Sequence, residues 1–300
     1  MKKWIRGAAA LLCLALLAGC VQIPAEPDPQ PMNPTQQSTA PTEEATGTMP
    51  TDPTTAPTVP TEAPTDPLEP TLPLPEMNPF NASDFVYEGN FLTCTAADSQ
   101  VGIDVSIHQG YIDWNQVAAA GVDFVMIRCG YRGYKYGQVN PDANAIMNLE
   151  GARNAGLKVG VYFYSQAINV AEAVEEAQFV LSSLEGQQLD LPVCYDWERF
   201  SDEARTANVD GRTVTDCAIA FCDAIRAGGR EPMVYFNPTQ AFGLLSMSEL
   251  TPYKFWLAMY DPEGWFPYRV DMWQYSNTGR VPGINTNVDL NIGFFSWEEV

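Results

Sequence analysis

Two acidic side chains, Asp196 and Glu198, follow a short apolar run in the segment LPVCYDWER and are separated by one tryptophan. In an extended strand alternate side chains share a face, so the two carboxylates would point the same way with α-carbons about 6.5–7 Å apart. Like charges that close raise the pKa of one partner, and a carboxyl with a raised pKa can donate a proton near neutral pH. The alternative is a pair of solvated acids at a strand end. The spacing indicates acid–base chemistry if other elements bring polar groups to the same place.

Strands and helices alternate between residues 84 and 300, a length that suits one large domain. Short apolar runs predict eight strands, at 102–106, 123–129, 158–165, 191–195, 232–237, 255–260, 270–275 and 287–292. Apolar residues at helical spacing predict helices at 114–120, 142–155, 171–184 and 213–227, with a short helical stretch after residue 237. This alternation predicts an α/β fold with a parallel sheet, closed into a single modified TIM-like barrel of about eight strands and five helices.

The carboxyl ends of the strands in such a barrel meet at one mouth, where active sites lie. Carboxylates there could handle a proton and the charge of an oxocarbenium ion, while aromatic rings stack on the apolar faces of sugars. Each aromatic residue taken alone could equally belong to the core, but their coincidence across eight strand ends favours a sugar-cleaving cleft. The residues at these ends are Asp104, Ser106, Arg128, Tyr131, Tyr162, Tyr164, Asp196, Glu198, Tyr235, Asn237, Tyr260, Trp273, Gln274, Tyr275, Asp289 and Asn291.

The first 20 residues have the features of an export signal, with a basic start and an apolar stretch too short to span a bilayer comfortably. They end in Leu-Ala-Gly-Cys, which resembles the lipobox of bacterial lipoproteins and implies cleavage before Cys20 with a diacylglycerol on its thiol. An ordinary signal peptide with an incidental cysteine is the alternative. Because lipid chains anchor without spanning, we expect an exported protein at the outer face of the cell membrane.

Residues 21–83 are rich in proline and threonine, and residues 21–81 contain no Lys or Arg. Such a segment cannot bury enough apolar surface to offset its ordering entropy, so we expect a disordered linker with local polyproline II structure. Roughly 60 residues in that conformation could reach up to about 190 Å. The linker would hold the domain formed by residues 84–300 away from a membrane and within a surrounding layer.

The formal net charge of −21, from 37 acids and 16 bases, argues against nucleic acid as a partner, because phosphate binding needs a basic face. A neutral or zwitterionic polymer fits better, and we expect a monomer. A single histidine and the absence of clustered thiols argue against a zinc site, and no cofactor is predicted. An odd number of cysteines follows residue 20 without CxxC spacing, which favours core residues over a disulfide framework; they are Cys94, Cys129, Cys194, Cys217 and Cys222.

The runs GIDVSIHQGYIDW, YDWE, WLAMY, MWQYS and NVDLN resemble the motifs of the family-25 glycoside hydrolases, which are bacterial and phage muramidases also called Chalaropsis-type lysozymes. The resemblance covers residues 101–292, with the motifs in the family's order. It implies a modified barrel and metal-free cleavage of the β-1,4 bond between N-acetylmuramic acid and N-acetylglucosamine in peptidoglycan, with retention of configuration. Two alternatives stay open: a non-catalytic glycan-binding lipoprotein, and a hydrolase of another N-acetylhexosamine polymer such as chitin.

The resemblance also implies roles for individual residues. Glu198 matches the general acid/base, and Asp196 matches the partner that either orients and polarises the substrate's 2-acetamido group or serves as nucleophile. Asp104 and Asp289 match two further acids of the cleft. His108 falls where the family often has a polar or aromatic residue, and we expect it to be a hydrogen-bonding residue of the cleft wall, not a catalyst. The sugar subsites correspond more loosely to Tyr162, Tyr164, Tyr260, Trp273 and Gln274, and the strand ends add Arg128, Tyr235 and Asn237 as candidate substrate-binding residues.

Overall fold

A computed structural model describes residues 72–260 and 266–295 of the chain. The predicted export signal, Cys20 and the linker up to residue 71 lie outside these residues. The strands are β1 (Phe85–Glu88), β2 (Phe91–Cys94), β3 (Gln100–Val105), β4 (Phe124–Arg132), β5 (Val139–Pro141), β6 (Lys158–Ser165), β7 (Val193–Trp197), β8 (Pro232–Phe236), β9 (Lys254–Ala258), β10 (Met272–Gly279) and β11 (Val288–Gly293). The α-helices are α1 (Trp114–Ala119), α2 (Ala145–Asn154), α3 (Val170–Ser183), α4 (Gly211–Ala227) and α5 (Pro238–Gly243).

Eight of the strands close into a barrel, because β3 pairs with β4 on one side and with β11 on the other. The order around the barrel is β3, β4, β6, β7, β8, β9, β10 and β11. The predicted fold of about eight strands and five helices is therefore confirmed. No helix in the described ranges combines the length and apolar character that a membrane span needs.

The last strand runs opposite to the rest, which the predicted parallel sheet did not include. Strand β11 pairs antiparallel with both β10 and β3, whereas the remaining barrel pairings are parallel. Its register places Asp289 opposite Asp104 and Asn291 opposite Gly102. Asp289 thus reaches the mouth from the amino end of its strand, not from the carboxyl end. No helix separates β10 from β11, and an antiparallel pair needs no crossover.

Side chains along each barrel strand alternate between the interior and an outer layer shared with the helices. In β7, Val193, Tyr195 and Trp197 belong to the outer cluster, whereas Cys194 belongs to the inner one. The outer cluster includes the apolar faces of α3 and α4, and the Tyr195 ring lies 4.8 Å from that of Phe221 on α4. The inner cluster fills the barrel below its mouth and consists of Phe124, Met126, Tyr162, Leu191, Cys194, Met233, Tyr235, Trp256, Ala258, Met272 and Phe295.

Helix starts are set by side chains that accept hydrogen bonds from otherwise unpaired backbone amides. Asp113, Asn169, Asp210 and Asn237 perform this role for α1, α3, α4 and α5. The predicted helices at 114–120, 171–184 and 213–227 agree with the observed ones to within two residues. The five cysteines after residue 20 are buried free thiols, as expected for core residues.

The segment before β1 packs on the barrel, although the sequence assigned residues up to 83 to the linker. Asn78 donates its backbone N–H to the carbonyl of Pro267 at 2.8 Å and its side-chain amide to Phe266 at 3.0 Å. The ring of Phe80 lies 4.9 Å from that of Phe294. Apolar and hydrogen-bonding residues interrupt the Pro/Thr-rich composition here, so contacts with the barrel include residues before Asp84.

Candidate active site

The two acids of the YDWE run sit at the end of β7, inside the barrel mouth. Asp196 lies beside Tyr164 of β6 and Tyr235 of β8, and Glu198 follows the last residue of the strand. Both acids are almost completely buried, at 4% and 2% exposure. Alternation along the strand places Asp196 on the same inward face as Cys194. The sequence therefore predicted correctly that this strand delivers acids to the barrel interior.

The backbone around Glu198 is held by two glutamine side chains from other elements. Gln166, just after β6, donates its side-chain amide to the carbonyl of Glu198. Gln240 of α5 donates to the carbonyl of Trp197 at 2.6 Å. The Trp197 indole in turn donates to the carbonyl of Ala167 at 2.8 Å. These bonds fix the turn that leads out of β7 and with it the position of the Glu198 carboxyl.

Asp104 and Asp289 lie side by side on β3 and β11 and share an amide partner. The Gln274 side chain donates through Nε2 to Asp104 at 2.8 Å and to Asp289 at 3.4 Å. Asn291 also donates to Asp104, at 2.8 Å. The side-chain oxygen Oδ1 of Asn291 accepts from the indole of Trp256 at 2.8 Å. Since an indole N–H can only donate, this bond sets the orientation of the Asn291 amide. The Asp104 carboxyl is therefore surrounded by donors.

Two tyrosines complete the network around Gln274. The hydroxyls of Tyr235 and Tyr260 donate to its Oε1 at 3.0 and 2.7 Å. Two donors on the oxygen leave Nε2 directed at the acids, so the tyrosines orient the amide that joins Asp104 to Asp289. The sequence predicted these residues as sugar-binding candidates, and the structure brings them together at the mouth.

Burial raises the pKa values of three of the four acids. Desolvation is the main cause for Asp104, whose pKa rises from 3.8 to about 6 although Asn291 and Gln274 act in the opposite direction. Burial, then the charges of Glu198 and Asp104, raise the pKa of Asp196 well above its ordinary value, and Arg128 opposes them. Burial and the charge of Asp104 do the same for Asp289. The group therefore retains protons at pH values where isolated carboxyls are ionised.

One oxygen of Asp196, Oδ1, is buried and has no hydrogen-bond partner within residues 72–260 and 266–295. A buried carboxylate oxygen without a donor costs free energy. An unpaired buried atom of this kind needs an explanation, such as a catalytic role or an ordered water.

A cleft of about 420 Å³ opens beside these acids. Asp104 and Asp289 line it directly, and Tyr162 and Tyr260 form part of its wall. The charges of Asp196 and Glu198 act on these tyrosines, raising the pKa of Tyr162 and of Tyr260 respectively, although burial is the larger cause for both. Asp196 and Glu198 therefore lie near the tyrosines of the cleft wall. Its remaining lining residues are Ser106, His108, Gln109, Asn277, Thr286 and Asn287.

Comparison with known proteins assigns this barrel to a family. The sequence model described as "Glycosyl hydrolases family 25" matches residues 103–284, more than half of the chain. The chain belongs to glycosyl hydrolase family 25. The match includes Asp104, Asp196, Glu198 and the strand ends between them. Asp289 lies just beyond it, on the strand that closes the barrel.

Three relatives illustrate the likeness. The chain is 28% identical over 194 residues to "Autolytic lysozyme" of Clostridium acetobutylicum, covering 63% of this chain and 54% of that protein. It is 28% identical over 204 residues to "Lysozyme M1" of Streptomyces globisporus, covering 63% and 66%. The structure of the modular autolysin LytC from Streptococcus pneumoniae, solved with a synthetic peptidoglycan ligand, superposes with a TM-score of 0.58 at 25% identity, covering 65% and 46%. The chain thus spans about half to two thirds of the length of these relatives.

Other predicted site residues of this family-25 barrel lie deeper or support the site. Arg128 is fully buried and binds Asp142 through Nε and Nη2, each at 2.9 Å, and its charge lowers the pKa of Asp196. Tyr164 is also fully buried, close enough to Glu198 and Asp196 that their charges raise its pKa.

Asn237 caps α5, accepting from the backbone N–H of Gln240 at 3.0 Å, and so positions the glutamine that holds Trp197.

The structure does not bring Trp273 to the mouth. Its ring lies in the outer layer, edge-on to Phe85 at 5.1 Å, and its indole donates to the carbonyl of Met259 at 2.7 Å. Neighbouring residues on a strand face opposite ways, so Trp273 and Gln274 cannot both point inward. Gln274 takes the inner position.

Some site residues were not singled out from the sequence. Asp142, Gln166, Gln240 and Trp256 bind site residues but lie in segments without a chemical signature. Strict alternation along β9 could have identified Trp256, because it lies two and four residues before Ala258 and Tyr260 on the inner face. Within the described ranges, no group of three or more His, Cys, Asp or Glu residues is arranged to hold a metal ion.

Proposed function

We propose that this protein hydrolyses peptidoglycan as a muramidase, cleaving the β-1,4 bond between N-acetylmuramic acid and N-acetylglucosamine. The observation that carries the proposal is the convergence of Asp104, Asp196, Glu198 and Asp289 on one barrel mouth beside a tyrosine-lined cleft. Membership of family 25 supports a glycosidic substrate. The similarity to two lysozymes, and to the autolysin LytC that was solved with a peptidoglycan ligand, supports peptidoglycan as the polymer.

The resemblance to family 25 supports the following division of labour among the acids. Glu198 is the general acid that protonates the glycosidic oxygen and then the base that deprotonates water. Asp196 directs its unpartnered Oδ1 at the sugar and stabilises positive charge, either by polarising the 2-acetamido group or by forming a glycosyl ester. Asp104 and Asp289, held by Gln274, shape the cleft and add negative potential. A developing cation in this buried group meets a strong stabilising field.

Either role for Asp196 makes the reaction a double displacement, so the product keeps the β configuration. Proton NMR of a fresh digest distinguishes the anomers before mutarotation. The β anomer should form first. Initial appearance of the α anomer would instead require Asp196 to activate a water for direct attack.

The decisive experiment is digestion of purified, defined cell walls followed by identification of the new reducing ends. We expect ends that carry N-acetylmuramic acid, and their release should require Glu198. New N-acetylglucosamine ends would identify a different bond. Wall binding without new ends would identify a glycan-binding protein. Faster cleavage of chitin than of walls would identify the alternative N-acetylhexosamine polymer.

We also propose that the protein acts at the outer face of the cell membrane, held by lipid on Cys20 and extended by the proline- and threonine-rich residues 21–71. The signal ending at Cys20 and the composition of the following segment support this placement. Cys20→Ala should abolish partitioning of the full chain into detergent, whereas Cys13→Ala, within the same signal, should leave it unchanged. A freely released protein cleaved at another bond would contradict the proposal.

A further inference from the structure

A second pocket lies on the outer side of the barrel, between the start of α1 and helix α2, with a volume of about 290 Å³. None of the residues lining it also lines the cleft at the barrel mouth. The segment between β3 and α1 separates the two, with His108 and Gln109 on the cleft side and Tyr111 on the pocket side. The volume is at the lower end for small-molecule sites, so it suits a ligand of about one sugar ring.

The floor of this pocket contains a buried amide without a partner. Asn148 lies on the inward side of α2, is 1% exposed, and lines the pocket. Neither its Oδ1 nor its Nδ2 has a hydrogen-bond partner within the part of the chain that the structure describes. Burying both atoms unpaired is costly, so the position favours a bound group that pairs with them. A carboxamide can accept one hydrogen bond and donate another at the same time.

Aromatic and apolar side chains surround this amide. Trp114 is 7% exposed and packs directly on α2, since a Cβ at Gly151 would lie only 2.3 Å from its Cδ1. Tyr111 and Met147 line the pocket with 75% and 49% of their surfaces exposed. A flat apolar surface beside a hydrogen-bonding amide matches a sugar, which has apolar ring faces and polar substituents.

The charge of the pocket disfavours anionic ligands. Its lining residues include no Lys, Arg, His or Glu. The one acid, Asp113, caps α1, and its two oxygens accept from the backbone and side-chain amides of Gln116 at 3.2 and 2.8 Å. A neutral group that offers one N–H and one C=O therefore fits best. The acetamido group of an N-acetylated sugar is such a group.

We propose that this pocket is an auxiliary binding site for an N-acetylhexosamine residue, in which Asn148 pairs with the acetamido group and the sugar ring packs against Tyr111 and Trp114. The assignment of the sugar to peptidoglycan rests on the proposed function. The pairing of Asn148 with an acetamido group does not depend on it. A second contact with the polymer would keep the enzyme on the wall between cleavage events.

The test uses the full chain with 13C-labelled methionine methyl groups and N-acetylglucosamine as the probe. The Met147 methyl signal, assigned by Met147→Leu, should shift on titration, while that of Met247, which is buried in the outer cluster and lines neither pocket, should not. Glucose, which lacks the acetamido group, should produce no shift. N-acetylalanine amide tests whether the pocket binds the amide group of a peptide instead of that of a sugar. A larger Met147 shift with that peptide than with the sugar would overturn the assignment to a sugar.

Two variants make the result specific. Asn148→Leu removes the amide at similar volume, and Tyr111→Ala removes an exposed ring without touching the core; each should weaken binding about tenfold or more. An unchanged Met147 titration in both variants, or no shift of Met147 in the wild-type chain, would refute the site. An ordered water would then be the hydrogen-bond partner of Asn148.

The variants also separate this site from the main activity. Tyr111→Ala should leave turnover of short glycan fragments unchanged and reduce binding to whole walls. If the wild-type chain binds N-acetylglucosamine at Met147 but does not cleave walls, the proposed function fails while the auxiliary site stands. If the chain cleaves walls but the Met147 signal does not shift, the auxiliary site is refuted while the proposed function stands.

Discussion

Gln166 donates its side-chain amide to the backbone carbonyl of Glu198, 32 residues away along the chain. Gln166 is fully buried, and its side-chain oxygen accepts a hydrogen bond from the hydroxyl of Thr206 at 3.0 Å. Its backbone carbonyl also accepts from Arg205 at 3.3 Å, and Arg205 forms an ion pair with Glu172 of α3 at 2.6 Å. The end of β7 is thus tied to α3 and to the loop after Glu198.

Replacement of Gln166 should impair turnover more than substrate binding. Gln166→Leu removes the donor to Glu198 at similar volume, so the carboxyl can shift relative to the glycosidic oxygen. Because a displacement of about 1 Å can reduce catalysis by about a hundredfold, we expect kcat to fall by about 10–100-fold with KM nearly unchanged.

Thr206→Val provides the matched control, because it removes only the bond that orients Gln166 and should cost kcat less. Both variants should be compared with wild type by thermal unfolding. A loss of activity that merely follows a loss of folded protein would show that Gln166 acts on the fold alone.

Glu198 and Asp196 should respond differently to the leaving group. Glu198→Gln keeps the shape but cannot deliver a proton, so wall hydrolysis should fall by about 10²–10⁴-fold. An activated aryl glycoside needs little protonation and should partly restore the rate. Asp196→Asn removes the charge that stabilises the intermediate, so the same substrate should help it little.

The kcat values of both variants on wall fragments and on the aryl glycoside provide the comparison. Wild-type rates for Glu198→Gln on walls, or equal rescue of the two variants, would contradict the roles assigned here.

Alternation along strands determined how much of this site could be predicted. Applied to Asp196 and Glu198, the two-residue period placed both acids inside the barrel. Applied to Trp273 and Gln274, it would have rejected one of the two adjacent candidates, and the structure places Trp273 outside. The antiparallel direction of β11 was harder to predict. Asp289 could face Asp104 in a parallel or an antiparallel strand, so its presence near the mouth does not determine the strand direction.

Contacts between distant segments could not be predicted from a single sequence. Gln166 and Gln240 carry no motif, and they become site residues only because closure of the barrel brings them to β7. The packing of Phe80 on Phe294 likewise joins residues more than 200 positions apart. Composition alone extended the linker past this point, because proline still surrounds the packed side chains.

The contribution of Asp104 to the stability of the folded protein should decrease as pH rises. Its pKa is about 6 in the folded protein against an ordinary value of 3.8, so the folded state binds the proton more tightly. The stabilisation is greatest below pH 3.8 and is lost between pH 3.8 and 6. Asp104→Asn removes this dependence, so its unfolding free energy relative to wild type should rise by about 2 kcal/mol between pH 4 and pH 7.

Urea unfolding of both proteins at the two pH values measures this difference. Asp113→Asn is the control. Hydrogen bonds from Gln116 lower the pKa of Asp113, so its contribution to stability is lost only as pH falls below 3.8, and its difference from wild type should change little between pH 4 and pH 7. A difference for Asp104→Asn that does not change with pH would contradict the effect of burial.

Trp273 and Tyr260 should have separable effects, although the sequence suggested both as sugar-binding residues. Trp273→Phe loses the hydrogen bond to Met259 in the outer layer, so the unfolding free energy should fall by about 1–3 kcal/mol with KM unchanged. Tyr260→Phe loses a hydroxyl that orients Gln274 in the cleft, so kcat/KM should fall about tenfold with little change in stability.

Steady-state kinetics on soluble wall fragments and urea unfolding should be measured for both variants. A raised KM for Trp273→Phe with normal stability would place its ring in the sugar-binding cleft after all.

The start of the ordered domain can be located by two truncations. Removal of residues 21–71 should leave the unfolding free energy of the barrel unchanged, since the contacts described here begin beyond that point. Extending the deletion through residue 83 removes the bonds from Asn78 to Phe266 and Pro267 and the packing of Phe80 on Phe294. This longer deletion should cost about 2–4 kcal/mol, from the lost hydrogen bonds and one partly buried aromatic ring.

Phe80→Ala in the shorter truncation isolates the aromatic part of this effect and should account for about half of it. The cleft lies at the barrel mouth and shares no lining residue with the crevice around Phe80, so all three proteins should cleave soluble wall fragments at similar rates while folded. Equal unfolding free energies for the two truncations would mean that residues 72–83 contribute nothing to the barrel, and the linker would then extend to Asp84 as its composition suggests.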